Sequence, residues 1–137
     1  VSSEIPLLGR KVFEAISYSR KAEKKAKASM VLEHLLEGNP SLPFMALEDK
    51  IGEAGNSLSK GQLKLLAYAR ALLTNKKIVL IDEPFEGFDE EAIPFWAEIL
   101  KQMATHRKVI VFSAHSLEAY LAPASVHQLP VNAKIFS

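Results

Sequence analysis

Asp82 and Glu83 stand side by side at the end of a short aliphatic run, within the stretch KIVLIDEPFEGFD from Lys77 to Asp89. Ligands of open α/β sheets bind at the carboxyl ends of strands, and two adjacent carboxylates there can hold a magnesium ion and orient a water. The plainer account of the pair is a solvated acidic turn. A second candidate is SLSKGQ, Ser57 to Gln62, ahead of a long helical pattern. Small hydroxyl residues and a glycine expose backbone N–H groups at a helix mouth. The helix dipole adds partial positive charge there and Lys60 a full one, which suits a phosphate. The plainer account is an ordinary helix cap. The third candidate is His115, just past a second aliphatic run, where an imidazole can donate a hydrogen bond to a phosphate or a water, or serve the fold alone. His34, His106 and His127 suggest no role.

These groups depend on the elements that carry them. Ile78 to Asp82 holds four aliphatic residues and then a carboxylate, the pattern of a strand buried on both faces and covered by helices. Pro84 and Gly87 turn the chain away, and Asp89-Glu90-Glu91 starts a helix that runs to about Thr105 with Ile93, Trp96, Ile99, Leu100 and Met103 as its apolar positions. Pro94 falls in its first turn, where a missing N–H costs little. Lys108 to Phe112 (KVIVF) is a second buried strand, ending in Ser113-Ala114-His115-Ser116, with Ser116 placed to cap a short helix from Leu117 to Leu121. Strand, helix, strand in this order implies a right-handed crossover and a parallel sheet. Val126 to Leu129 and Lys134 to Phe136 read as two short strands joined by a turn.

The front half is helical. Val12, Phe13 and Ile16 share one face of a helix over Lys11 to Tyr18. The basic run Arg20 to Ala28 reads as a solvated helix face rather than a nucleic-acid patch, because Glu23 and Lys27 are spaced i, i+4 and the run leads into Val31, Leu32, Leu35 and Leu36 at helical spacing. Pro40 and Pro43 forbid its continuation. Gln62 to Thr74 is the clearest helix, with Leu65, Leu66, Ala69, Leu72 and Leu73 in one stripe.

The totals exclude several classes. A chain of 137 residues has room for one domain with a core, and 48% apolar and 24% charged residues are ordinary for a globular fold. A net charge of +1 gives no general pull toward nucleic acid or an anionic membrane. With no cysteine there is no disulfide framework and no thiolate metal site. No stretch reaches the ~18 apolar residues needed to span a bilayer. The chain starts at Val1, not methionine, as expected of a processed or excised piece.

Taken together, SLSKGQ, a hydrophobic strand ending Asp-Glu-Pro about fifteen residues on, Asp89, and a strand ending Ala-His-Ser resemble the nucleotide-binding domain of ATP-binding-cassette (ABC) proteins. SLSKGQ is similar to the family signature, usually LSGGQ, with Lys60 in place of the first glycine. IVLIDE resembles its Walker B strand, PFEGFD its D-loop, and SAHS its switch histidine. IGEAG, Ile51 to Gly55, is similar to a segment preceding the signature in exporter-type domains. The opening VSSEIPLL aligns with the Q-loop, with Ser3 where glutamine normally stands. No G-x-x-x-x-G-K-[ST] occurs, so the resemblance is to the C-terminal part of such a domain, without its phosphate-cradling Walker A loop.

The resemblance implies a partial P-loop NTPase-like α/β fold over residues 1–137. A helical subdomain with the signature spans about 10–74, and the Walker B, D-loop and switch-histidine part of the catalytic core spans about 75–137. Without the first strands, one edge of the sheet is expected to be bare. The resemblance assigns Asp82 to magnesium and Glu83 to polarising the attacking water. His115 would contact the γ-phosphate of ATP. Ser59, Lys60, Gly61 and Gln62 would close over the γ-phosphate held by a second nucleotide-binding domain, and Asp89 would reach across that dimer interface. The implied function is ATP hydrolysis driving transport, at the cytoplasmic face of a membrane, with a transmembrane domain as partner and no nucleic acid. The isolated chain is expected to be inactive. Two other implied functions are an ABC-type ATPase of DNA maintenance and a non-catalytic dimerisation module.

Overall fold

The computed structural model describes residues 11–17, 24–51, 58–113, 120–121, 127–128 and 133–136. Backbone contacts divide the chain at Thr74/Asn75 into two compact units.

The first unit is helical: α1 (Val12–Ser17), α2 (Lys25–Glu37) and α3 (Lys60–Leu73). Both α1 and α2 pack on α3. The α3 stripe buries Leu65, Leu66, Tyr68, Ala69 and Ala71, while Leu72 and Leu73, expected inside, are only half-buried. α3 begins two residues before the expected Gln62, because the serine cap sets its start. α2 ends at Gly38 ahead of Pro40, and buried Asn39 is satisfied there, its Nδ2 donating to the Leu35 carbonyl at 2.7 Å. The following segment supplies carbonyls to the N-terminus of α1. Val12 N–H donates to Asp49 O and Phe13 N–H to Leu47 O, each at 2.9 Å. Two of the orphan donors that every helix start leaves are thereby satisfied.

An ion cluster fastens the same corner. Glu48 accepts from Lys11 Nζ at 2.7 Å and also pairs with Lys25, whose ammonium lies 5.8 Å from the centre of the Phe13 ring. The Lys11 hydrogen bond, and then that of Lys25, pulls the Glu48 carboxyl down to about 2. The same pairing raises Lys11. Burial alone pushes the Tyr68 hydroxyl well above its usual range. The expected Glu23–Lys27 pair, the Tyr18 end of α1, most of the IGEAG stretch and Ser3 lie outside the described residues.

The second unit holds β1 (Ile78–Asp82), a 3-10 turn (Glu90–Ala92) leading into α4 (Ile93–Ala104), β2 (Lys108–Phe112), β3 (His127–Gln128) and β4 (Ala133–Phe136). β1 and β2 are parallel, with Asp82 opposite Phe112, and α4 packs on β2 as the crossover between them. β4 then pairs antiparallel with β2, and β3 antiparallel with β4, giving the order β1-β2-β4-β3. Among the described residues the sheet is therefore parallel only at its β1–β2 pair.

One expectation needs correcting. β1 is not buried on both faces: Val79 and Ile81 are 2% and 4% exposed, but Ile78 and Leu80 are 58% and 45% exposed. β1 ends the sheet, and alternate side chains of a strand point to opposite faces. One face packs inward, and Ile78 and Leu80 on the other stay exposed. No described helix is long and apolar enough to cross a membrane.

Candidate functional site

The acidic turn follows directly from β1. Aliphatic residues hold the strand against β2, and the parallel register brings the chain out of the sheet beside the end of Phe112. Glu83 N–H donates to the Phe112 carbonyl at 2.7 Å. Glu83 then takes φ 45, the left-handed region, which costs a non-glycine residue about 1–2 kcal/mol. Its carboxylate is half-buried, and Oε2 accepts a hydrogen bond from the hydroxyl of buried Ser113 at 3.2 Å. Asp82, one residue back, is exposed at the strand end.

Beyond Glu83 the loop is pinned by its own side chains. Pro84 is fully buried, and Glu86 N–H closes a turn onto the Glu83 carbonyl at 3.1 Å. Gly87 adopts φ 87, a conformation open to glycine without steric cost. Phe88 stacks on fully buried Trp96 of α4, with centroids 4.3 Å apart and planes 5° from parallel, and Phe95 meets Trp96 edge-on. Phe85 meets Tyr120 edge-on at 5.8 Å. Asp89 follows as the exposed residue preceding the 3-10 turn; its side chain makes no capping hydrogen bond to that turn.

The serine turn belongs to the other unit. Ser59 caps α3 with a reciprocal pair: Gln62 N–H donates to Ser59 Oγ at 3.1 Å, and Ser59 N–H donates to Gln62 Oε1 at 2.9 Å. Gln62 Nε2 reaches back to the Pro43 carbonyl at 3.5 Å. Gly61 and Gln62 are buried, while Ser59 and Lys60 are exposed. The plainer account of this motif, a helix cap, is therefore part of its geometry. Each of the Ser59 and Gln62 side chains binds the other residue's backbone N–H, and the exposed Lys60 charge and the helix dipole are the features that favour an anion.

Thus Asp82, Glu83 and Asp89 share one loop, Ser59 to Gln62 form one helix mouth in the other unit, and His115 lies outside the described residues. Among the described residues no three His, Cys, Asp or Glu side chains come together as a metal cage. Magnesium binds through one or two carboxylates together with phosphate oxygens and retained waters. The hard oxygen donors of Asp82 and Glu83 suit it. Sequence reasoning passed over Ser113 as a site residue, although its position one past Phe112, the parallel partner of Asp82, places it next to Glu83. A groove of about 630 Å³ lies in the helical unit, lined in part by Leu32, Leu36, Phe44 and Met45. It contains none of the candidate residues.

A family model described as ABC transporter matches residues 2–86. The chain is 32% identical to ABC transporter B family member 21 of Arabidopsis thaliana, over 85% of this chain and 9% of that protein. It is 30% identical to the ATP-dependent lipid A-core flippase of Neisseria meningitidis, over 85% of this chain and 19% of the flippase. It is 33% identical to the Nod factor export ATP-binding protein I of Rhizobium etli, over 67% of this chain and 27% of that relative. The chain spans less than a third of each of these three relatives.

Proposed function

The chain belongs to the ABC transporter family, and on that footing we propose that it is part of a transporter's ATPase subunit, hydrolysing ATP at an interface between two nucleotide-binding domains. The carrying observation is the Glu83 turn, where a carboxylate is held at the end of a parallel strand in a strained conformation, beside a second carboxylate. Strain of this kind persists where the surroundings over-determine it, and it clusters at functional sites.

In this proposal Asp82 would hold magnesium and Glu83 would polarise the attacking water. His115 contacts the γ-phosphate. Ser59, Lys60, Gly61 and Gln62 present a helix mouth to the γ-phosphate of ATP bound by the partner domain, and Asp89 reaches across the same interface. Magnesium, when bound, neutralises charge on the phosphate oxygens. Phosphoryl transfer to water needs positioning and charge neutralisation more than covalent chemistry, and these residue types supply both. The 137 residues contain no G-x-x-x-x-G-K-[ST], so the proposal assigns the phosphate-cradling loop to polypeptide outside them. ATP would favour the closed dimer and hydrolysis the open one, shifting populations of a transmembrane partner. The chain would work at the cytoplasmic face of a membrane.

The test is Glu83→Gln in the full-length protein. Turnover is expected to fall at least ~100-fold, in the range for loss of a general base, while ATP-bound dimerisation survives. Hydrolysis at the unaltered rate would remove Glu83 from this role. The 137-residue chain alone serves as the control; micromolar ATP affinity in it would contradict the outside origin of the phosphate loop.

A further inference from the structure

Ser113 stands at the end of β2 as Glu83 stands at the end of β1. The two strands are parallel and in register through Asp82 and Phe112, so the first residue past each strand falls beside its counterpart. The Ser113 side chain is shielded, at 5% exposure, and its hydroxyl donates to Glu83 Oε2 at 3.2 Å. On the backbone side, Glu83 N–H is bound to the carbonyl of Phe112, the residue before Ser113. The end of one strand therefore holds Glu83 twice, by its amide and by its carboxylate.

From this geometry we infer that Ser113 is a positioning residue for Glu83: its hydroxyl fixes the direction of the carboxylate that the proposed reaction uses. The inference rests on the hydrolytic reading of Glu83. A glutamate side chain has three rotatable torsions, and the left-handed backbone at φ 45 swings its root away from the direction that an ordinary strand residue would take. One carboxylate oxygen bound to a buried donor fixes the direction of the other. A carboxylate free to rotate would present that oxygen for only a fraction of the time, and misplacement of a reacting group by about 1 Å can cost up to ~100-fold in rate. Ser113 touches neither water nor phosphate in this scheme, and acts through Glu83.

The first readout needs no nucleotide. In the 137-residue chain, NMR scalar couplings across the Glu83 side-chain bonds are expected to report one rotamer, and to average in Ser113→Ala. The second is steady-state ATP hydrolysis by the full-length protein. Ser113→Ala is expected to lower kcat ~10-fold with KM for ATP unchanged, and Ser113→Thr, which keeps the hydroxyl, to recover most of the loss. In a Glu83→Gln background Ser113→Ala is expected to cost nothing more. If Glu83→Gln is inactive but Ser113→Ala turns over normally, or its couplings are unchanged, the positioning role is overturned. So too if its loss multiplies with that of Glu83→Gln, or if threonine does not rescue. If Glu83→Gln itself turns over normally, the hydrolytic reading falls first and the role of Ser113 with it.

Discussion

The two turns that could meet a nucleotide are built on opposite principles. The serine turn at the mouth of α3 is locally satisfied: Ser59 and Gln62 cap each other within four residues. The acidic turn after β1 is locally unfavourable. Glu83 sits at φ 45, and what holds it comes from β2, thirty residues on in sequence. A capping box needs only its own four residues and tolerates change around it. A strained turn exists only while the neighbouring strand imposes it. The difference teaches that a motif's strength in sequence and its dependence on the rest of the fold are separate quantities.

Changes at three positions sharpen that contrast. The largest effect is expected at Ser59. Ser59→Ala removes the side-chain acceptor at the helix mouth and should destabilise the chain by about 1 kcal/mol, read as a lower denaturant midpoint at unchanged slope. A cost near zero would mean that the cap is idle. The next falls at Glu83, where Asn tolerates the left-handed region and a β-branched residue does not. Both Glu83→Asn and Glu83→Val remove the bond to Ser113, so the backbone shows in their difference: Glu83→Val should have the lower midpoint, by about 1 kcal/mol. Equal midpoints would show that the turn is unstrained in solution.

The smallest effect lies outside both turns, at Glu48. Its carboxyl is held down at about 2 by Lys11 and Lys25. A group depressed in the folded state stabilises above its unfolded value, near 4.5, and that contribution is lost as pH falls from there through about 2. The cluster is about half exposed, so salt screens it and its share is small. Glu48→Gln should flatten the stability profile between pH 4.5 and 2, lowering stability slightly at neutral pH and leaving it unchanged below about pH 2; an unchanged acid limb would discount the cluster.

The legibility of the site follows the same division. An ordinary helix cap at the serine turn was readable from its small hydroxyl residues, but its reciprocal pair with Gln62 was not read, because the helix was expected to start only at Gln62. Ile78–Asp82 and Lys108–Phe112 were readable as strands to the residue, since both are aliphatic runs bounded by lysines or turn residues. The backbone of Glu83 and its bond to Ser113 were not, because both depend on which residue of β2 falls opposite Asp82, and register is not a local property. The exposed face of β1 was missed for a related reason. An aliphatic run signals affinity for a covered environment, but not whether this stretch of chain contains the cover. The grip of Lys11 on Glu48, 37 residues apart, had no sequence signal.

The antiparallel seat of β4 has one more consequence. Among the described residues β2 is hemmed in, with β1 along one flank and β4 along the other. Among those residues, a newcomer to this sheet could join only outside β1 or outside β3. A strand meant to lie directly against β2 would first have to evict β4 and break its four-residue ladder.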